Sequence, residues 1–161
     1  MDILELQLDA LMRMCTAQQE SERLQARDEV LHLLEDRQNR GYTADPEYLI
    51  RELLLELGSP DHLVGHAYVV KALLLTLEDR SFVDSITLKL YPRLAADFST
   101  VPSRVERGIR NLIDVTWTRG DFNALNRYFG NTVSAMRSKP TNSEFLARLA
   151  NVITMRLKEA A

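Results

Sequence analysis

The sequence is poor in the residues that interrupt helices or crosslink a chain. Its 161 residues include five Pro and six Gly, and aromatic residues make up 7%. Because Pro and Gly break helices and aromatic residues favour strands, this composition predicts long helices with short connections rather than a β fold. Cys15 is the one cysteine of the sequence. It has no partner for an intramolecular disulfide, and we therefore expect a cytoplasmic protein.

Long hydrophobic runs are also absent. No apolar run approaches the roughly 20 residues that a bilayer-spanning helix needs. The N-terminus opens with Asp2, Glu5 and Asp9 rather than with the basic residues of a secretory signal. The pattern therefore predicts neither a membrane span nor a leader peptide.

The residue sets of common enzyme sites are missing as well. The sequence has no Gly-rich phosphate loop, no Ser/His/Asp set and no carboxylate pair in a recognisable frame, so we predict no catalytic site and no cofactor. His62 and His66 have the spacing of metal ligands on a helix, but no third ligand lies near them in the sequence. We therefore assign them a capping or packing role and predict no metal site.

The net charge of −3 conceals an asymmetry between the two parts of the chain. Residues 1–58 hold six Arg and thirteen Asp or Glu, a net charge of −7. Residues 59–161 hold fourteen Lys or Arg and ten Asp or Glu, a net charge of +4. An acidic part followed by a basic part indicates two regions with different roles.

Apolar residues recur at helical spacing along most of the chain. The pattern predicts an all-α helical bundle preceded by an N-terminal helical extension. Residues 2–38 form either one long helix or a helical hairpin, because their apolar stripe lapses between Thr16 and Arg23. The other predicted helices cover about residues 46–57, 63–77, 82–90, 92–98, 102–118, 122–129 and 143–158.

The turn residues Gly58, Ser59 and Pro60 divide these helices into two predicted regions. Residues 1–57 form the acidic helical region, a candidate for dimerisation or regulation, and residues 58–161 form the second region. In the first region, a 4-3-4 spacing typical of a short coiled-coil seam relates Leu4, Leu8, Leu11 and Cys15. This helix therefore either joins a second copy in a homodimer or packs back onto its own domain.

Residues 92–118 are predicted to form a short helix, a tight turn and a longer helix, the order of elements in a helix-turn-helix. At about 100° per residue, the inner face of the longer helix comprises Val105, Ile109, Leu112 and Thr116, with Ile113 beside them. Arg107 points almost directly away from this stripe. The remaining outer and flanking positions hold Ser103, Arg104, Glu106, Arg110, Asn111 and Asp114.

The outer face carries side chains that can read base pairs in a major groove. Arg can form two hydrogen bonds to guanine, Asn can pair with adenine, and Glu can accept from the cytosine amino group. The candidate base readers are Arg104, Glu106, Arg107, Arg110 and Asn111. The alternative is that these residues are the solvated face of an ordinary helix. Gly108, in the same helix, either allows close approach to DNA or is simply tolerated.

Several motifs resemble those of one family. They are SRVERGIR at residues 103–110, WTRG at 117–120, FGNTVS at 129–134 and KPTNSEF at 139–145, together with SIT at 85–87, LYP at 90–92 and GSP at 58–60 followed by His62. They resemble the DNA-binding effector domain of the stage-zero sporulation response regulator, the master switch of endospore formers. The resemblance spans about residues 50–157.

This resemblance implies a role for the helix that begins at Ser103, which would be the recognition helix. Glu106 and Arg107 would contact bases, Arg104 and Arg110 would contact bases or backbone, and Lys139 would anchor a phosphate. In this family, Ala usually stands at the position of Gly108 and His at that of Asn111, so the preferred DNA sequence is expected to differ.

The resemblance also implies a surface for the sigma subunit of RNA polymerase, at residues 119–134. The candidate contacts are Arg119, Asp121, Phe122, Asn123 and Arg127. The alternative is a core-packing helix and loop, because Phe122, Leu125 and Phe129 have the spacing of a buried face.

The N-terminus departs from the family pattern. The family carries a phosphoacceptor receiver domain of about 120 residues, with an α/β fold, whereas the roughly 50 residues before the effector region here have a helical pattern. We therefore expect no control by the usual phosphorelay route. The function we predict is sequence-specific binding of double-stranded DNA by a transcription regulator. The alternative is a protein-interaction module that sequesters a regulator or a sigma factor, since the acidic region could cover the basic face.

Overall fold

The computed structural model describes residues 3–16, 20–39, 45–130 and 139–160, of which the side chains of 14–16, 20–23 and 34–39, Cys15 included, are left out. Every regular element in these ranges is helical, and the predicted all-α class is confirmed. The α-helices are α1 (Ile3–Thr16), α2 (Glu20–Asn39), α3 (Pro46–Glu56), α4 (Val64–Glu78), α5 (Ser81–Asp84), α6 (Tyr91–Asp97), α7 (Pro102–Arg119), α8 (Phe122–Phe129) and α9 (Asn142–Glu159), and a π-helical segment, Ile86–Leu90, precedes α6.

The chain divides into two compact units, residues 1–43 and residues 44–160. The boundary predicted from the sequence lies after residue 57 and would separate α3 from the second unit. α3 instead packs against α4 and α9 and buries Ile50, Leu53 and Leu54 in their common core. The boundary therefore lies before α3, because the apolar face of this helix is covered by helices that follow it in the chain.

The first unit is a pair of helices that pack against each other. The small side chains of Ala10 and Ala26 are buried, and Arg13 forms an ion pair with Glu29 at 2.8 Å. Of the two arrangements that the sequence left open, one long helix or a hairpin, the structure has two helices. Larger apolar side chains on α1 stay largely exposed, among them Leu4 at 68% and Leu8 at 61%.

The core of the second unit is built around α4, which contacts α3, α5, α6, α7 and α9. Nine of its fifteen residues are buried, so it has no broad solvent face. A second part of the core joins α7, α8 and α9 through three aromatic rings. The Phe129 ring stacks on Phe145 at 5.6 Å between centroids, and Trp117 meets Phe129 edge-on at 5.0 Å.

The predicted single helix over residues 82–90 is wrong. α5 ends at Asp84, and the chain continues as the π-helical segment directly into α6. The N–H groups of Leu90 and Tyr91 donate five residues back, to the carbonyls of Ser85 and Ile86. Pro92 explains this wider turn, because it has no N–H to donate and its ring excludes the carbonyl four residues before it.

α4 and α7 cross at a point where neither helix carries a side chain. A Cβ atom on Gly65 would lie 2.1 Å from the carbonyl oxygen of Gly108, and a Cβ on Gly108 would lie 2.8 Å from the ring of Tyr68. The sequence left two interpretations of Gly108 open: it allows close approach to DNA, or a Gly is simply tolerated there. Neither describes this contact with α4. Gly108 packs against α4. Gly destabilises a helix by about 1 kcal/mol relative to Ala, and the closer contact between α4 and α7 offsets this cost.

We expect Gly65→Ala to lower the free energy of unfolding by about 1–3 kcal/mol, because the added methyl group meets backbone that cannot turn aside. Chemical denaturation of the full chain measures this change. Ala67→Ser is the control, since it also adds one heavy atom to α4 but at an exposed position. Equal stability of Gly65→Ala and wild type would contradict the close crossing.

Candidate nucleic-acid interface

The connection between α6 and α7 is a tight turn closed by two backbone hydrogen bonds. Ser99 N–H donates to the Ala96 carbonyl at 3.3 Å, and Thr100 N–H donates to the Ala95 carbonyl at 2.9 Å. Ser99 has a φ of 51°, a left-handed conformation that Gly usually supplies at a helix end. α7 begins after Val101. The chain thus has the predicted short helix, turn and longer helix.

The inner face of α7 is the apolar stripe predicted from the sequence. Its buried residues are Val105, Ile109, Leu112, Ile113 and Thr116. The helix packs against α4, α6 and α9. Because these helices cover the inner face, the opposite side is the one that remains open to a ligand.

The outer face of α7 is exposed along its N-terminal half. The exposed predicted site residues there are Ser103, Arg104, Glu106, Arg107 and Asn111. Within the described ranges, the guanidinium groups of Arg104 and Arg107 have neither an ion-pair partner nor a hydrogen-bond partner. Two uncompensated cations, three residues apart on one helix face, form a local site for a polyanion.

Arg110 differs from these two arginines. Its Nη1 donates to the Pro140 carbonyl at 2.8 Å, and its Nε and Nη2 donate to the Asp114 carboxylate at 3.3 Å and 3.2 Å. The helical wheel placed Arg110 on the outer face, but the segment that leads into α9 lies against it. Its guanidinium group is therefore engaged within the protein, unlike that of Arg107.

Lys139 contacts the same Asp114 carboxylate as Arg110. Its Nζ lies 3.3 Å from Oδ1 of Asp114, and 46% of its side chain is exposed. Burial opposes ionisation of Asp114, but the hydrogen bond from Lys139 and the charge of Arg110 outweigh it and lower the pKa of this carboxyl group. Lys139 thus stays accessible while one of its donors is directed at Asp114.

Asn142, the first residue of α9, also contacts α7. Its Nδ2 donates to the Glu106 carbonyl at 3.1 Å and to the Tyr91 hydroxyl at 3.0 Å. An open groove of about 520 Å³ lies beside these contacts, between Ser103, Glu106 and Arg107 on one side and residues 141–143 on the other. No role for Asn142 was predicted from the sequence, because its burial depends on which helix α9 packs against. The local signal that could have identified Asn142 is its place at the start of a helix, two residues after Pro140.

Residues 50–153 match the protein family described as sporulation initiation factor Spo0A C terminal. The matched range covers more than half of the chain and includes α4 to α8 entirely. The chain belongs to this family. The effector domain that defines this family binds DNA and regulates transcription in sporulation, and the family is not a catalytic one. The resemblance inferred from the motifs is therefore confirmed.

The match to the Spo0A C-terminal family begins within α3 and ends within α9. It therefore contains both helices of the helix-turn-helix and also residues 139–142, which contact α7. The inclusion of residues 50–56 agrees with the packing of α3 into the second unit.

α8 and the end of α7 carry the residues predicted to face the sigma subunit. Asp121 caps α8 by accepting from Ala124 N–H at 2.8 Å, and Arg119 and Asn123 are exposed. Phe122 is 71% exposed whereas Phe129 is buried. The core-packing interpretation therefore holds for Phe129 and fails for Phe122. Residues 131–134, the rest of this predicted surface, lie outside the described residues.

Arg127, the last of the sigma-facing candidates, belongs to a polar cluster between α3, α8 and α9. Glu56 accepts from Arg127, from the Tyr128 hydroxyl and from Arg156, each at 2.8 Å. Burial alone would raise the pKa of Glu56, but the hydrogen bonds from Arg156 and Tyr128 outweigh this effect and lower the pKa. This cluster holds α8 in place at its outer edge.

The two histidines considered as metal ligands differ in burial. His62 is exposed and His66 is buried, and burial, with the charge of Arg51, lowers the pKa of His66. Among the described residues, no group of three or more His, Cys, Asp or Glu side chains is placed to hold a metal ion. No helix in the described part of the chain is long and apolar enough to cross a membrane.

We expect Ser99→Gly to raise the free energy of unfolding by about 0.5–1 kcal/mol, because Gly adopts the left-handed conformation without the clash of a Cβ atom. Thermal or urea denaturation measures this gain. Thr100→Gly is the control: Thr100 has a negative φ, so Gly there should only destabilise the chain. A loss of stability in Ser99→Gly would contradict the conformation of this turn.

Proposed function

We propose that this chain binds specific sequences of double-stranded DNA by placing the N-terminal half of α7 in the major groove. The observation that carries the proposal is the pair Arg104 and Arg107, exposed and without ion-pair partners in the described residues, on a helix whose opposite face is fully packed. A helix that is rigidly held on one side and cationic on the other suits a groove lined by phosphates.

The exposed side chains divide into three groups by the DNA contacts proposed for them. Arg107 would bind guanine, Glu106 would accept from a cytosine amino group, and Asn111 would pair with adenine. Ser103 and Arg104, nearer the start of the helix, would contact bases or the adjoining backbone. Lys139 would bind a phosphate with the donors that Asp114 does not use.

The sigma subunit of RNA polymerase is the second proposed partner. Phe122 supports this choice, because an aromatic ring that is 71% exposed on a short helix is typical of a residue buried by a partner. Arg119 and Asn123 flank it as exposed polar contacts. Such a protein acts on chromosomal DNA, and the compartment we propose is the cytoplasm.

A homodimer formed through α1 is the third part of the proposal. The leucine stripe of α1 comprises Leu4, Leu8 and Leu11. These side chains are 68%, 61% and 41% exposed. Among the described side chains of residues 1–43, the buried apolar ones are the two small residues Ala10 and Ala26. A unit of about 40 residues seldom supports its own fold, and a second copy would offer a matching stripe.

We expect Arg107→Ala to lose about 1–3 kcal/mol of binding free energy at the preferred site and to lose selectivity at one base pair. Lys139→Ala should instead weaken binding to all sequences alike and reduce the salt slope by roughly one unit. DNA selection followed by binding titrations at two salt concentrations measures both effects.

Arg119→Ala is the matched control, because Arg119 lies on the same helix about 18 Å from Arg107. It should leave DNA affinity unchanged. If Arg107→Ala bound its best site as tightly as wild type, α7 would not be the reader. The interaction module that sequesters a regulator or a sigma factor would then be the better function.

We expect Leu8→Glu to convert a dimer of the full chain into a monomer, because a carboxylate in the centre of the leucine stripe would be buried without a partner. Sedimentation equilibrium measures the mass. Gln25→Glu adds the same charge at an exposed position on α2 and should leave the dimer intact. A monomeric wild-type chain would refute the dimer without affecting the DNA-binding proposal.

A further inference from the structure

One buried amide group connects α9 to both helices of the helix-turn-helix. Asn142 is 7% exposed, and its Nδ2 group donates to Glu106 on α7 and to Tyr91 on α6. The acceptor on α7 is a main-chain carbonyl, whose second lone pair is free after the helical hydrogen bond is made. Asn142 therefore binds the backbone of α7 without interrupting the helix.

The orientation of this amide is determined by its partners. The reverse orientation would place Oδ1 against the Glu106 carbonyl, and two acceptors would face each other. In the observed orientation, Oδ1 meets no hydrogen-bond donor among the described residues. Both donors are used and the acceptor is not, which indicates that the position of Asn142 is set by what it holds in α6 and α7.

The contacts continue along α7 for two further turns. Arg110 donates to the Pro140 carbonyl, and Asp114 accepts from both Arg110 and Lys139. Residues 139–142 thus follow the side of α7 from Glu106 to Asp114. We call this set of contacts the α7–α9 clamp. The close contact with α4 at Gly108 limits how near α7 can come to the core, whereas the clamp acts on its lateral side and resists rotation about its own axis.

We infer that Asn142 is a positioning residue for DNA reading, because it sets the rotation of α7 and thereby the direction in which Glu106 and Arg107 point. The inference rests on the proposed function of α7 as the DNA reader. Asn142 acts through the Glu106 main chain, one residue from Arg107. Even a small rotation of this part of α7 would move these side chains off the base edges that a bidentate contact requires.

Two variants separate this role from a general loss of packing. Asn142→Asp keeps the shape of the side chain but has no N–H for the Glu106 carbonyl, while the Tyr91 hydroxyl can still donate to its carboxylate. Tyr91→Phe removes the bond to α6 and leaves the bond to α7. Ser143→Asp is the charge control, because it adds the same negative charge to the same groove without a link to α7.

The first measurement is the ratio of affinities for the best site and for scrambled DNA, in the full chain. We expect Asn142→Asp to lower this ratio about tenfold relative to Ser143→Asp, while its binding to scrambled DNA stays close to that of Ser143→Asp. Tyr91→Phe should keep the wild-type ratio. Equal ratios for Asn142→Asp and Ser143→Asp would overturn the inference, and so would an equal loss in Tyr91→Phe.

The second measurement needs no DNA. Amide hydrogen exchange of residues 107–111 should be faster in Asn142→Asp and unchanged in Tyr91→Phe, because only the first variant releases α7. Unchanged exchange in Asn142→Asp would refute the positioning role. A wild-type chain without any sequence preference would instead refute the proposed function, while faster exchange in Asn142→Asp would still show that Asn142 holds α7.

Discussion

The crossing of α4 and α7 at Gly65 and Gly108 is the contact on which the presentation of α7 depends. The two backbones approach so closely that a single methyl group on Gly65 would overlap the Gly108 carbonyl. Protein interiors pack at the density of organic crystals, so such a contact leaves α7 little freedom to shift. The exposed arginines of α7 are thereby presented from a rigid support rather than from a mobile surface helix.

The far end of α7 is fixed by a second backbone contact. Gly58, with a φ of 73°, turns the chain after α3, and a Cβ at this position would lie 2.9 Å from Cα of Gly120. Asp121 N–H donates to the Leu57 carbonyl at 3.0 Å, and the hydroxyl groups of Ser59 and Thr116 lie 3.0 Å apart. The turn that the sequence indicated as a boundary is therefore part of the support of α7.

The three sides of α7 have three different surroundings. The apolar side is buried against α4, and the polar side of Arg110 and Asp114 is engaged by residues 139–142. The third side, with Arg104 and Arg107, has no partner within the described residues. Arg107 and Arg110 are three residues apart and chemically identical, yet one is available to a ligand and the other is held within the fold.

The sequence by itself determined the all-α class and most of the helices, the inner face of α7, the exposure of Arg107 and the family, because helical periodicity and short motifs are properties of neighbouring residues. Periodicity could not show that α3 packs into the second unit, since its cover comes from α4 and α9. Nor could it show that Gly108 contacts Tyr68, that Arg110 binds the Pro140 carbonyl, or that Asn142 is buried against α7. Only the tertiary structure decided these points, because each contact forms only when the helices have packed. The partners of Gly108, Arg110 and Asn142 lie thirty or more residues away in the chain.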